Sequence, residues 1–282
     1  MIAHAPVIRQ PSVAGMFYPA SPAMLEHNVR EMLAAVPRIV PAASVVGIIS
    51  PHAGYVYSGG TAAQAYAQLA GDTRDVVVVV SPSHREFFDG TSVFPGDAYA
   101  TPLGTIAIHA ELRSRLRDEA SVVLSTAGHG EEHALEVQLP FLQCALGSFS
   151  LLPLVIGNQS RENCFALGEA LGRVLQGSRA LLVASTDLSH FHSARAGSRL
   201  DAIVARDLEL FDAELLMGDL ESGRAEACGG GPAVAVMVAS RLLGARTVRV
   251  LRRTHSGEIT GDNNSVVGYL TAVLQLPEAA PL

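Results

Sequence analysis

The sequence predicts a three-layer α/β/α sandwich around a central sheet that is mostly parallel or mixed, and three observations carry that prediction. Short continuous apolar runs recur along the chain, as strands buried on both faces require. Segments of helical period separate them, the alternation of a sheet with helices on both faces. A composition of 49% apolar residues over 282 positions, with mean hydropathy +0.28, is ample for a large core.

The elements follow in order. After an extended N-terminal arm, "SPAMLEHNVREMLAAV" opens on Ser21 and Pro22 and keeps helical spacing. "VVGIIS" (45–50) and "DVVVVVS" (75–81) are strands, and the Ala-rich "SGGTAAQAYAQLAG" between them, closed by Gly71, is a helix, so the unit is βαβ. Further strands are expected in "SVVLST" (121–126), "FSLLPLVIG" (149–157), "ALLVAST" (180–186), "TVRVL" (247–251) and "SVVGYLTAVL" (265–274). Further helices are expected at about 131–146, 160–175, 194–213 and 232–243. No repeat, low-complexity tract or linker marks a boundary, so residues 1–282 read as one domain.

Charge and cysteine usage narrow the function classes. The net charge of −7 and pI near 5.8 come from dispersed acids, and without a basic cluster nucleic acid is excluded as a partner. No basic leader and no run of membrane-spanning length is present, which points to the cytoplasm and away from the membrane. Three scattered cysteines do not make a disulfide framework. A two-fold dimer is the default expectation for such a chain.

Two stretches share one design. "IISPHAGY" and "VVSPSHRE" each end an apolar run at Ser-Pro and deliver a histidine, His52 and His84, within two residues of the proline. Prolines alone terminate strands, because they lack the N–H a ladder needs, but that does not account for the histidines. The separation, 84 − 52 = 32 residues, is the length of one βαβ unit, so the strands are expected to be parallel neighbours with both imidazoles in the crevice at the carboxyl edge of the sheet. A third run, "ALLVASTDLSHFH", presents Asp187, His190 and His192 in the same way. Together these ends offer two metal ligands and an acid/base group.

Cys228, in "EACGGGPAVAV", precedes a Gly-rich turn and an apolar helix, where the helix dipole favours a thiolate suited to a metal or to thiol chemistry; a small buried hydrophobe is the alternative. Cys144 and Cys164 lie in apolar helical patterns and read as core. "HGEEH", His129 to His133, fits the H-x-x-E-H pattern of inverted zinc peptidases. Gly128 and Gly130 argue against a helix there, so no peptidase site is expected; His133 and Glu136 are expected on the first helical turns, as pocket groups or a solvated helix start.

The ordered set "VAGMFYP", "GIISPHAGYVYSG", "SPSH", "TPLG", "EEHALEVQLPFL", "LLPLVIG", "STDLSHF", "CGGGP" and "TGDNNSVVGYLTAVL" resembles the Memo family, whose prokaryotic members are called AmmeMemoRadiSam system protein B. The resemblance runs from about Val13 to Leu274. It implies the fold of class III extradiol ring-cleaving dioxygenases of the protocatechuate 4,5-dioxygenase type, with a pocket of the non-haem iron kind. Carried over position by position, it implies His52, His84 and Cys228 as metal ligands, with His133, Asp187 and His190 lining the pocket. His190 would act as acid/base and Asp187 would orient it or the substrate. Fe(II) is the expected cofactor, and the thiolate in place of a carboxylate leaves copper or zinc as alternatives. The implied function is an Fe(II)-dependent oxidoreductase or dioxygenase acting on a small molecule. The alternative is a non-catalytic module that binds metal, a peptide or a phosphorylated ligand. The prokaryotic name also implies a pathway shared with an AMMECR-type protein and a radical SAM enzyme.

Overall fold

The computed structural model describes residues 5–119 and 122–277. Its principal sheet is built on four parallel strands: β2 (Val45–Ser50), β9 (Ala180–Ser185), β3 (Val76–Pro82) and β8 (Ser150–Ile156), adjacent in that order. Antiparallel strands extend it on both sides. β12 (Val266–Gln275) pairs with β2 and carries β11 (Thr247–His255) and β10 (His190–His192), while β4 (Thr91–Val93) joins β8 and carries β7 (Val122–Leu124). A separate small sheet joins β1 (Ile8–Arg9), β5 (Ala98–Thr101) and β6 (Gly104–Ala107).

The sheet has helices on both faces, which makes the three-layer α/β/α sandwich. On β3, Val76, Val78 and Val80 join one core and Val77 and Val79 the other, the period of two expected of a strand buried on both faces. The first core takes residues from α3 (Ala110–Arg117), α5 (Arg161–Val174), α6 (Ala194–Glu209), α7 (Ala213–Glu221) and α8 (Gly230–Leu242). The second takes α1 (Pro22–Ala34), α2 (Tyr55–Tyr66) and α4 (Leu139–Leu146). A ninth helix among the described residues, α9 (Gly257–Thr260), is a single turn. Each buried valine contributes about 1.5–3 kcal/mol relative to exposure, so β3 anchors both layers.

One close approach sets the position of α8. A Cβ on Gly168 would lie 2.6 Å from Val238, and one on Gly172 would lie 2.5 Å from Leu242, so these two glycines of α5 let α8 pack at short range. Cys164 belongs to the same face and is fully buried, as its apolar context predicts, while Cys144 is half-buried against the second core.

Several expectations are corrected. β2 and β3 are parallel but not neighbours, because β9 hydrogen-bonds to both and separates them. The helix expected at 194–213 ends at Glu209: Phe211 takes a left-handed φ of 55°, and the Asp212 carboxylate accepts from Leu215 N to start α7. The helix expected from 131 begins with a 3₁₀ turn at Glu136–Gln138, which leaves His133 in a loop. The strand expected at 121–126 is β7; its first residue, Ser121, lies outside the described residues. The short strands β1, β4, β5, β6 and β10 are too brief for a period to be read from sequence.

Candidate metal centre

Placing β9 between β2 and β3 brings the three strand ends to one edge in the order His52, Asp187, His84. His52 follows β2 and is buried; its backbone N–H donates to Asp187 Oδ1 at 2.7 Å, which ties the first end to the second. The Ser185 hydroxyl, at the end of β9, donates to Ala134 O at 2.6 Å and accepts from Gln138 Nε2 at 2.8 Å. Its only proton is thereby spent. The contact of 3.0 Å to His52 Nδ1 must then be an imidazole N–H donating to Ser185, which leaves the Nε2 lone pair as an acceptor on the side of Cys228.

The same tautomer recurs around the cluster. Glu132 accepts from the His84 backbone N–H and, at 3.0 Å, from His84 Nδ1, and the same oxygen lies 3.3 Å from His133 Nδ1. His190 donates from Nδ1 to Leu188 O at 2.8 Å. Three imidazoles, those of His52, His84 and His190, thus bond an oxygen through Nδ1 and keep Nε2 for something else, the arrangement that outer partners impose on metal-binding or proton-accepting histidines. The His52, His84 and His133 rings are mutual neighbours, with centroids 4.8–5.4 Å apart.

Cys228 enters from α8. It stands two residues before the first helical residue, with its N–H donating to Asp187 O and the Asp187 N–H donating to its Sγ at 3.3 Å. Gly229 N donates to Thr186 Oγ1, and Gln159 bridges Cys228 O and Gly231 N, so the loop is pinned on both sides. Cys228 Sγ lies 3.1 Å from His52 Nε2, and the donor atoms of His52, His84 and Cys228 fall within 4.8 Å of one another. His84, Glu132 and His133 form an overlapping group of the same span.

The electrostatics follow from burial. Desolvation, with His84 adding to it, holds His52 neutral down to about 3, and desolvation with neighbouring His52 holds His133 neutral down to about 4. Burial pushes the Asp187 carboxyl up to about 6. For Glu132 burial acts upward, but the hydrogen bond and charge of His84 outweigh it and hold the carboxyl at about 2. The helix N-terminus was expected to favour a Cys228 thiolate; instead burial and the adjacent Asp187 push the thiol well up, so without a cation the group is a thiol.

The set fits a transition metal. Imidazole nitrogens and one sulfur converge at spacings that bonds of about 2.0–2.3 Å can span, and a bound cation would supply the charge that ionises Cys228. Beside the cluster a cavity of about 520 Å³ opens onto His133, Asp187 and His190. A second cavity of about 480 Å³ touches His190 and Cys228 from the other side.

Other expectations sort cleanly. His192 pairs with Glu226 and is not among the grouped donors. His129 is buried elsewhere, accepting from Tyr99 and facing Ser92, so the H-x-x-E-H spacing makes no peptidase site. Glu136 is not a pocket group: it is fully buried, paired with Arg9, and accepts from Tyr18, Ser12 and Val13, so it ties the N-terminal arm down. Sequence reasoning nominated neither Glu132 individually nor Ser185. Glu132 had a signal in its adjacency to His133; Ser185 had none beyond ending a strand.

Comparison with known proteins gives the family. The family model described as Memo-like protein matches residues 9–273. This chain belongs to the Memo family. Memo relatives include a MEMO1 family protein from Methanothermobacter thermautotrophicus, 34% identical over 273 residues that cover 93% of this chain and 99% of that protein. Another, from Methanosarcina mazei, is 34% identical over 271 residues, covering 95% and 99%. An uncharacterized protein from Escherichia coli K12 has a similar solved fold, with TM-score 0.51 and 16% identity over 82% of this chain and 99% of that one. Among the described residues no helix is long and apolar enough to cross a membrane.

Proposed function

We propose that this Memo protein is a mononuclear iron protein, an Fe(II)-dependent oxidoreductase for a small molecule, with His52, His84 and Cys228 as the metal ligands. The observation that supports it best is the common tautomer of two ligands: Ser185 and Glu132 occupy Nδ1 of His52 and His84, which leaves Nε2 of each for the metal. Bound there, ferrous iron would supply a redox centre for chemistry between a small molecule and O2.

The remaining residues act on the ligand. His190, with Nδ1 held by Leu188 O, offers Nε2 as a base to a hydroxyl in the adjoining cavity. Asp187 fixes the His52 loop through Oδ1 and stands in the cavity wall as a carboxyl that burial pushes up to about 6. His133, stacked on His84 and set against Phe17, closes the wall between cluster and cavity. The test is oxygen uptake by anaerobically Fe(II)-loaded protein against a panel of phenols and enols, beside a His190→Ala variant. Sustained uptake that the variant loses while retaining its iron supports the assignment; full turnover by the variant refutes the role of His190.

A second reading rests on the sulfur. A thiolate is a softer donor than a carboxylate and favours copper(I), so the cluster also suits a metal-holding protein without turnover. Stoichiometric metal with no oxygen uptake across the panel would favour it.

A further inference from the structure

The cavity beside the cluster is lined by two carboxylates, Asp187 and Asp262, and three aromatic rings, Phe17, Tyr57 and Tyr269. The 20 basic residues of the chain are all arginines, and among the described residues none lines this cavity. Sites for phosphate or carboxylate ordinarily supply an arginine fork or a lysine, and this one supplies neither. Asp262 accepts through Oδ1 from the Asn264 backbone N–H at 2.9 Å and from its side-chain amide at 3.0 Å, which fixes the carboxylate without neutralising it. Oδ2 has no partner among the described residues. Aromatic rings and a carboxylate lining one cavity favour an ammonium over an anion.

Resting on the reading of the adjoining cluster as the reactive centre, we infer that this cavity selects small molecules bearing a positive charge and rejects anions, with Asp262 as the specificity-determining carboxylate. The cationic end of the ligand sits among Asp262, Tyr57 and Tyr269, and the opposite end meets His133, Asp187 and His190. A phosphorylated ligand is the class this lining disfavours most, since it brings like charges together.

The test uses three aromatic probes that differ in charge and are poor metal ligands: benzyltrimethylammonium, benzyl alcohol and benzenesulfonate. Each is titrated by ligand-observed NMR against wild-type protein and Asp262→Asn, with metal content measured on the same samples. The ammonium should bind about tenfold more tightly than the sulfonate. Asp262→Asn should weaken the ammonium about fivefold, the effect of one exposed ion pair, and leave benzyl alcohol and metal content unchanged. Equal or tighter binding of the sulfonate, an unchanged ammonium affinity in the variant, or no binding of any probe overturns the inference. Metal present without charge preference sinks this inference alone, whereas charge preference without metal sinks the proposed function and leaves the cavity's selectivity standing.

Discussion

Cys228 Sγ lies 3.1 Å from His52 Nε2, across 176 residues of sequence. Neither local motif contains that contact. It exists because β9 inserts between β2 and β3 and because Asp187, just beyond β9, bonds to both partners: its carboxylate accepts from the His52 N–H, its carbonyl accepts from the Cys228 N–H and its own N–H donates to Cys228 Sγ. The cluster is therefore a property of strand order.

Glu132 should control metal affinity without touching the metal. Because it orients His84 and His133 through their Nδ1 atoms, Glu132→Gln should weaken metal binding about 10–100-fold in a competitive chelator titration. Both carboxylate oxygens accept backbone N–H groups, His84 N on one and Ala134 N on the other, so the amide also sets a donor against a donor and should cost about 1–3 kcal/mol in urea unfolding. Unchanged metal affinity would show that the carboxylate does not orient the rings.

Gly229 should be intolerant of a side chain. A Cβ there would run into Ser185 O and Thr186, so Gly229→Ala must push the loop that carries Cys228 off β9. A cost of about 1–3 kcal/mol in urea unfolding is expected, together with reduced metal occupancy. Wild-type occupancy in the variant would mean that the loop position is not what brings the sulfur to His52.

Arg9 and Glu136 form a buried pair whose disruption should be severe. Arg9→Met leaves the Glu136 carboxylate, fully buried, without its cation, and should cost about 3–5 kcal/mol in urea unfolding. Arg9 also donates to His129 O, Gly130 O and Glu132 O, so the 129–132 loop should loosen and metal affinity should fall with it. A loss below about 1 kcal/mol would contradict this role.

His129 predicts a pH slope outside the metal cluster. Burial lowers its folded pKa from 6.5 to about 3, so the unfolded chain binds the extra proton and stability falls as pH drops below about 6.5. Between pH 7.5 and 5.5 this group alone should remove about 1.4 kcal/mol from metal-free protein. His129→Gln should flatten the slope by that amount, whatever its absolute stability; an unaltered slope would show that His129 is not the titrating group.

The sequence was most legible where one residue type serves one local purpose. The valines of β3, the Ser-Pro-His ends of β2 and β3 and the apolar face of α5 were readable because burial on two faces leaves a continuous apolar run. His52, His84, Asp187 and Cys228 were identifiable for the same reason: each follows a strand or precedes a helix at a recognisable end. What escaped is long-range. Nothing between residues 45 and 82 shows that β9 will come between them, and nothing near Ser185 shows that its single proton will be spent on Ala134 O and so fix the tautomer of His52. Glu136 misled because a carboxylate at a helix start is usually solvated, and its partner Arg9 lies 127 residues away.

The most direct test of the account is elemental analysis of protein purified without oxygen, with His52→Ala and Cys228→Ser variants prepared alongside. The account predicts close to one iron per chain in the wild type and its loss in both variants. Wild-type protein that holds no iron even after reconstitution with ferrous salt, or variants that hold as much as the wild type, would contradict it.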